Sequence, residues 1–125
     1  MQFFFVKSCI YAFFFVTLHK NTENMSTQEV LDSISAKVHQ SEPSAKVLLF
    51  GSRARGDAHP DSDWDVMVLL NDASAGRKWD VSGELFRLGW DIEKMISPIV
   101  YTQSEWEKKN FTPFYKNVMH DGIEL

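Results

Sequence analysis

Two aspartates and a glycine–serine pair are the residues of this chain whose types and spacing could support chemistry. Gly51 and Ser52 follow one short apolar run, and Asp63 and Asp65 stand at the start of the next. Carboxylates two residues apart on a strand point to the same side of a sheet. There they can bind Mg²⁺, which takes one or two carboxylates together with substrate phosphates. The pair therefore predicts a metal site with Asp63 and Asp65 as ligands.

The glycine–serine pair has the properties of a phosphate-binding segment. Gly51 has no Cβ, so the backbone there can come close to a phosphate. Ser52 offers a hydroxyl and an amide to the same oxygens, and Arg53 or Arg55 can add charge-assisted hydrogen bonds. We therefore expect Gly51 and Ser52, together with Arg53 or Arg55, to bind phosphate.

The alternative is a solvated turn at residues 61–63 that has no ligand. Asp65 argues against this alternative, because it lies inside the apolar run 64–70, where an unpaired carboxylate is costly to bury. The glycine–serine pair between two apolar runs adds a second argument, and together they favour a functional site.

The motif, Gly-Ser followed by ten residues and then Asp-x-Asp, resembles that of the minimal nucleotidyltransferases of the DNA polymerase β superfamily. The resemblance covers about residues 27–101. It implies an α/β (α+β) fold, a small mixed β-sheet flanked by helices. It also implies that a hydroxyl attacks the α-phosphorus of ATP or another nucleoside triphosphate, and that pyrophosphate leaves. By this resemblance Gly51 and Ser52 hold the triphosphate, while Asp63 and Asp65 ligate two Mg²⁺ ions.

The family pattern also includes a third carboxylate on the next strand, and here the sequence departs from it. Ser97 occupies the expected position within the run 95–99. The nearest acids are Asp91, which has apolar neighbours on both sides, and Glu93. Three alternatives stay open: Asp91 as the third catalytic residue, Glu93 in that role, or no third carboxylate at all. The helical pattern places Asp91, the first candidate, before the strand.

The elements that must position these residues follow from hydrophobic spacing and turn residues. Ser26 and Glu29 form a capping-box pattern at the start of the first helix. Pro98 cannot donate a ladder hydrogen bond, which predicts an edge strand or a bulge. Trp79, Trp90 and Trp106 are expected to be packing residues. The patterns predict a helix from Ser26 to about Gln40, strands at 46–50, 64–70 and 95–101, a helix over 74–93, and short helices capped by Ser104 and opened by Thr112 and Pro113.

Residues 1–24 differ in composition from the rest of the chain. They contain six of the ten phenylalanines, in an apolar run interrupted by Lys7. We expect an apolar N-terminal extension upstream of a true start at Met25, with a secretory signal or a membrane anchor as the alternatives. Residues 25–125 are expected to form one nucleotidyltransferase domain without a membrane-spanning segment.

The net charge of −4 argues against binding of duplex nucleic acid by bulk electrostatics. The lone Cys9 excludes an intramolecular disulfide and agrees with a reducing compartment, so we expect a cytoplasmic protein.

The leading hypothesis is Mg²⁺-dependent transfer of a nucleoside monophosphate, most often AMP in such small members, to a hydroxyl on a protein or small molecule. The family resemblance suggests a protein partner, such as a HEPN-type toxin for which this chain would be the antitoxin; a homo-oligomer is the other possibility. The rival hypothesis is a catalytically impaired module that binds a nucleotide and a partner but lacks the third carboxylate. An antibiotic-modifying transferase is disfavoured, because the chain has no room for a second domain.

Overall fold

The computed structural model describes residues 25–125, and the predicted extension at residues 1–24 lies outside them. The described residues include no helix that is both long enough and apolar enough to cross a membrane. The helices are α1 (Thr27–Ser41), α2 (Ser52–Arg55), α3 (Lys78–Ile92), α4 (Gln103–Glu107) and α5 (Pro113–Asp121), with a 3₁₀ segment at Asp72–Arg77 before α3. The strands are β1 (Lys46–Phe50), β2 (Trp64–Leu70), β3 (Ile96–Thr102) and β4 (Ile123–Glu124).

Helix α1 begins where the capping pattern predicts. The backbone amide of Glu29 donates to Ser26 Oγ at 3.1 Å, which gives one of the exposed first-turn amides a partner. Val30, Ile34 and Val38 recur at helical spacing and are buried against the sheet. The predicted first helix is confirmed.

The four strands form one mixed sheet in the order β3-β2-β1-β4. Strand β1 pairs antiparallel with both β2 and β4, whereas β2 and β3 are parallel. The mixed sheet flanked by helices confirms the predicted fold class. Strand β3 lies at an edge, as Pro98 predicts, since an edge strand can tolerate a residue without a ladder donor. The two-residue strand β4 was not predicted.

Both faces of β1 and β2 are covered, as their continuous apolar runs predict. Successive side chains alternate between the faces, so each strand contributes to two hydrophobic clusters. The cluster under α1 and α3 contains the buried strand residues Val47, Leu49, Trp64, Val66, Val68, Leu70 and Ile96. The cluster under α4 and α5 contains Leu48, Met67, Leu69, Trp106 and Val118.

The second half of the chain departs from the predicted boundaries. The helix expected over 74–93 begins at Lys78, because Asn71 caps a separate 3₁₀ segment through the amide of Ala73. The cap of α4 is Thr102 and not Ser104. Its hydroxyl accepts from the amide of Glu105, and the Glu105 carboxylate accepts from the amide of Thr102.

Two of the three tryptophans expected to pack in the interior do not do so. Trp106 is buried, but Trp79 and Trp90 are 89% and 84% exposed. The packing prediction is therefore wrong for Trp79 and Trp90. They lie on the side of α3 opposite its buried residues Val81, Leu85, Leu88 and Ile92.

Candidate active site

Gly51 makes the connection between β1 and α2 in a conformation that favours glycine. Its φ is 74° and its ψ is −156°, and it is the N-cap residue of α2. A Cβ at this position would overlap the Asp65 carboxylate and would lie 3.1 Å from its Cγ. The Gly51 backbone therefore lies close to the Asp65 side chain, and its predicted contact with a phosphate stays a prediction. Ser52 starts α2, a helix that sequence patterns missed because it is only four residues long.

The two aspartates lie at the same end of the sheet as Gly51. Asp65 is the second residue of β2, where Phe50 of β1 pairs with it on one side and Ser97 of β3 on the other. Asp63 lies just before β2, and Ser97 Oγ donates to Asp63 Oδ2 at 3.1 Å. The tertiary structure thus gathers Gly51, Asp63, Asp65 and Ser97, which we call the carboxylate cluster.

The electrostatics of this cluster favour a bound cation. Burial raises the pKa of the Asp65 carboxyl above its usual value, the nearby Asp63 carboxylate raises it further, and the charge of Arg55 opposes both effects. Ionisation of Asp65 is therefore less favourable than that of a free aspartate. A divalent cation between the two carboxylates would remove this penalty, and two carboxylates completed by phosphate oxygens fit the ligands that Mg²⁺ prefers.

Ser97 occupies the position where the family pattern has its third carboxylate. As the register partner of Asp65 it faces the same side of the sheet, and its hydroxyl contacts Asp63. Asp91 is exposed in the last turn of α3, and Glu93 caps that helix in a left-handed conformation. Among residues 25–125, no three acidic, histidine or cysteine side chains are gathered as a metal ion would need. The structure therefore does not bring Asp91 or Glu93 into a three-ligand site, and the catalytic role of Asp91 stays a prediction.

Arg53 connects α2 to the loop that leads into Asp63. Its Nη2 donates to the carbonyls of His59, Pro60 and Ser62 at 3.2, 3.1 and 2.8 Å, and its Nε donates to Ser62 at 3.1 Å. Its guanidinium also lies 4.0 Å from the centre of the Trp64 ring. Contact of Arg53 with a triphosphate stays a prediction; the structure shows a residue that braces the loop. Sequence reasoning missed this brace, because its partners are backbone carbonyls that no side-chain pattern reveals.

A cavity of about 510 Å³ opens beside this loop, between the start of β2 and the C-terminal end of α3. Ser62 and Trp64, which flank Asp63, line one wall, and Phe86 and Trp90 of α3 line another. Its remaining lining residues are Pro60, Asp61, Gly89, Glu93, Lys94, Met95 and Ile96.

The mixed sheet, with a glycine–serine turn against a pair of carboxylates, defines the nucleotidyltransferase class of fold. A solved structure described as a "putative minimal nucleotidyltransferase" shares this fold, with a TM-score of 0.56 and 22% identity over 82% of this chain and 98% of that one. The sequence profile of the nucleotidyltransferase domain family matches residues 31–124, and this chain belongs to that family.

Two relatives from Methanocaldococcus jannaschii are similar in sequence. Each is named a "putative protein adenylyltransferase". One is 35% identical over 83 residues, which are 64% of this chain and 77% of that protein. The other is 32% identical over 80 residues, which are 64% of this chain and 76% of that protein. The predicted family is confirmed, and the protein is a nucleotidyltransferase.

Proposed function

We propose that this nucleotidyltransferase transfers AMP from ATP to a hydroxyl group of a partner protein, and that the reaction requires Mg²⁺. The observation that carries the proposal is the carboxylate cluster, in which Gly51 gives the Asp65 carboxylate room beside the first turn of α2. The names of the two archaeal relatives support AMP as the transferred group and protein as the acceptor.

In this proposal the residues in and beside the cluster divide the work of metal binding, triphosphate binding and positioning. Asp63 and Asp65 hold the metal ions, while Ser52 and the Gly51 backbone hold the triphosphate. Mg²⁺ held there would supply positive charge to the phosphate oxygens and to the leaving pyrophosphate. Arg53 keeps Asp63 in position by bracing the loop through its hydrogen bonds to Ser62. Catalysis then depends on positioning and charge neutralisation more than on proton transfer.

A second candidate function is nucleotide binding without efficient transfer, and Ser97 favours it. A serine hydroxyl cannot accept the proton of the attacking hydroxyl as a carboxylate can, and a general base contributes roughly 10²- to 10⁴-fold to a rate. Under this alternative the chain binds ATP with Mg²⁺ and serves chiefly to bind its partner.

The proposal extends to the protein partner and to the location of the protein in the cell. The family resemblance supports a HEPN-type toxin as the protein partner, with this chain as the antitoxin. The single cysteine of the chain supports a cytoplasmic location.

Two measurements test the proposal. Titration calorimetry with ATP and Mg²⁺ should show binding to the wild type and none to a variant that carries both Asp63→Asn and Asp65→Asn. Asp61→Asn is the matched control, because Asp61 is an exposed acid in the same loop. Equal Mg²⁺-dependent affinity in the double variant would contradict the metal assignment.

The second measurement follows labelled AMP from ATP onto a co-purified partner. Transfer by the wild type that is lost in the double aspartate variant supports the proposal that the protein is an active AMP transferase. Transfer that is absent in the wild type but gained with Ser97→Asp supports the binding module, because the new carboxylate would lie beside Asp65 in the register of β2 and β3. Robust wild-type transfer that Asp91→Ala and Glu93→Ala leave unchanged would exclude both acids as the third residue.

A further inference from the structure

Helix α3 carries a line of exposed aromatic side chains on the side that faces away from the sheet. Trp79, Phe86 and Trp90 are 89%, 51% and 84% exposed. Their separations of seven and four residues place all three on one side of the helix. We call these three residues the aromatic stripe. Monomeric proteins rarely expose contiguous apolar patches of this kind, so the stripe indicates an interaction surface.

Gly83 lies in the middle of the aromatic stripe, four residues after Trp79 and three before Phe86. Glycine is unfavourable in the interior of a helix, and the fold itself does not require one here. A Cβ at Gly83 would meet only the end of the flexible Arg87 side chain, at 3.6 Å. Gly89 on the same helix is different, because a Cβ there would lie 2.7 Å from the Lys94 carbonyl oxygen. Gly83 therefore leaves a notch in the stripe, and among the described residues only the end of the Arg87 side chain contacts it.

The spacing of the stripe and its notch is the same when read in either direction: Trp79, Gly83, Phe86 and Trp90 are separated by four, three and four residues. We propose that α3 packs antiparallel against α3 of a second copy of this chain, on a two-fold axis that passes between Glu84 and Leu85. Phe86 of each copy then fills the notch at Gly83 of the other. Trp79 of each copy lies beside Trp90 of the other. Within one copy these two tryptophans are about 16 Å apart along the helix axis.

Charge along one flank of the stripe agrees with this arrangement. Arg87 is exposed, and among residues 25–125 it makes no ion pair. The same two-fold axis puts Arg87 beside Asp80 and Glu84 of the second copy. Within one chain these two acids share Arg77, at 3.4 Å each, and Glu84 also accepts from Ser41 Oγ, so Asp80 is the acid that retains a carboxylate oxygen for a second cation. An isologous interface of this kind uses the same patch on both copies.

The size of the surface suits a small specific dimer. Aromatic side chains bury roughly 150–250 Å² each, and the stripe has three per copy. Phe86 is already half-buried, so the stripe has roughly 340–560 Å² per copy left to bury. This area is below the roughly 800 Å² per partner of a standard interface, which agrees with a weak, reversible dimer.

The dimer also has a consequence for the cavity beside Asp63. Trp90 lines that cavity, so Trp79 of the second copy would stand at its mouth. Each copy would then complete the wall of the cavity in the other.

Analytical ultracentrifugation of the full chain over a wide concentration range tests the proposal. We expect a reversible monomer–dimer equilibrium. Phe86→Ala and Gly83→Gln should each raise the dimer Kd about thirtyfold or more, the effect of losing a central contact. Phe111→Ala is the matched control, because Phe111 is 75% exposed and lies away from α3.

Circular dichroism of the same variants separates loss of the interface from loss of the fold. Gly83→Gln should keep the helical signal, because glutamine is a better helix former than glycine and no backbone opposes it. A chain that stays monomeric at high concentration would overturn the proposal. A dimer with the same Kd in wild type, Phe86→Ala and Gly83→Gln would overturn it as well. The interface does not depend on nucleotide transfer, so Asp65→Asn should dimerise as the wild type does.

Discussion

The contact between Gly51 and Asp65 supports a quantitative prediction about stability. Gly51→Ala places a methyl group where the Asp65 carboxylate now lies, on a backbone with a φ of 74° and a ψ of −156°. The substitution therefore has two costs: strain in a backbone region used almost only by glycine, and overlap with a carboxylate. Gly56→Ala is the matched control, because Gly56 also has a positive φ, 86°, but has nothing within 4 Å of the new Cβ.

The two costs can be assigned magnitudes from the structure. Backbone strain of this kind is about 1–3 kcal/mol, and inserting a methyl group into a filled space adds about 1–3 kcal/mol. We expect Gly51→Ala to lower the free energy of unfolding by about 2–6 kcal/mol. Gly56→Ala should lower it by about 1–2 kcal/mol, since only the left-handed backbone penalty applies.

The assay is denaturant unfolding of the full chain, arranged as a double-mutant cycle with Asp65→Ala. Asp65→Ala removes the carboxylate that overlaps the new methyl group and leaves the residue 65 Cβ 3.3 Å away, which a small shift can accommodate. Gly51→Ala should therefore cost about 1–3 kcal/mol less in the Asp65→Ala background than in the wild type. The reasoning would be refuted by equal losses for Gly51→Ala and Gly56→Ala, or by a cost of Gly51→Ala that Asp65→Ala does not reduce.

Three further predictions concern pH and the chain start. Because the folded-state pKa of Asp65 is raised, its ionisation opposes folding, so Asp65→Asn should raise the free energy of unfolding at neutral pH. This gain in stability should vanish as the pH falls through the folded-state pKa of Asp65 towards 3.8, the ordinary pKa of an aspartate. An Asp65→Asn variant that is no more stable than the wild type at pH 7 would contradict the prediction. Glu105 has its pKa lowered from 4.5 to about 2 by hydrogen bonds from Lys78 and the Thr102 amide, so it stabilises the fold above pH 4.5 and loses that contribution as the pH falls towards 2. Glu105→Gln should therefore flatten acid unfolding over this range, and an unchanged pH profile by circular dichroism would count against the assignment. A chain that starts at Met25 should melt in the same cooperative transition as the full chain, and loss of folded protein would show that residues 1–24 belong to the core.

The sequence by itself determined the local elements and the positions of Gly51 and Asp65 in the candidate site. Helix α1, the buried strands β1 and β2, and the start of α5 at Pro113 depend on spacing and caps within a few residues, which a sequence displays directly. The positions of Gly51 and Asp65 at neighbouring strand ends follow from the same local patterns. The two boundary errors have separate causes. A 3₁₀ segment capped by Asn71 precedes α3 and moves its start to Lys78, and Thr102 caps α4 in place of Ser104.

Tertiary structure alone decided which distant residues meet. Ser97 reaches Asp63 and pairs with Asp65 because β2 and β3 are parallel and in one particular register, which no local pattern encodes. The Arg53 brace depends on a loop that folds back over α2, and its acceptors are backbone carbonyls common to every residue. Trp79 and Trp90 have the helical spacing of packing residues. The side of the helix that packs on the sheet, however, is the opposite one, which carries Val81 and Leu85. Local periodicity fixes an element and its faces, whereas the contacts between elements fix which face is buried and which side chains form a site.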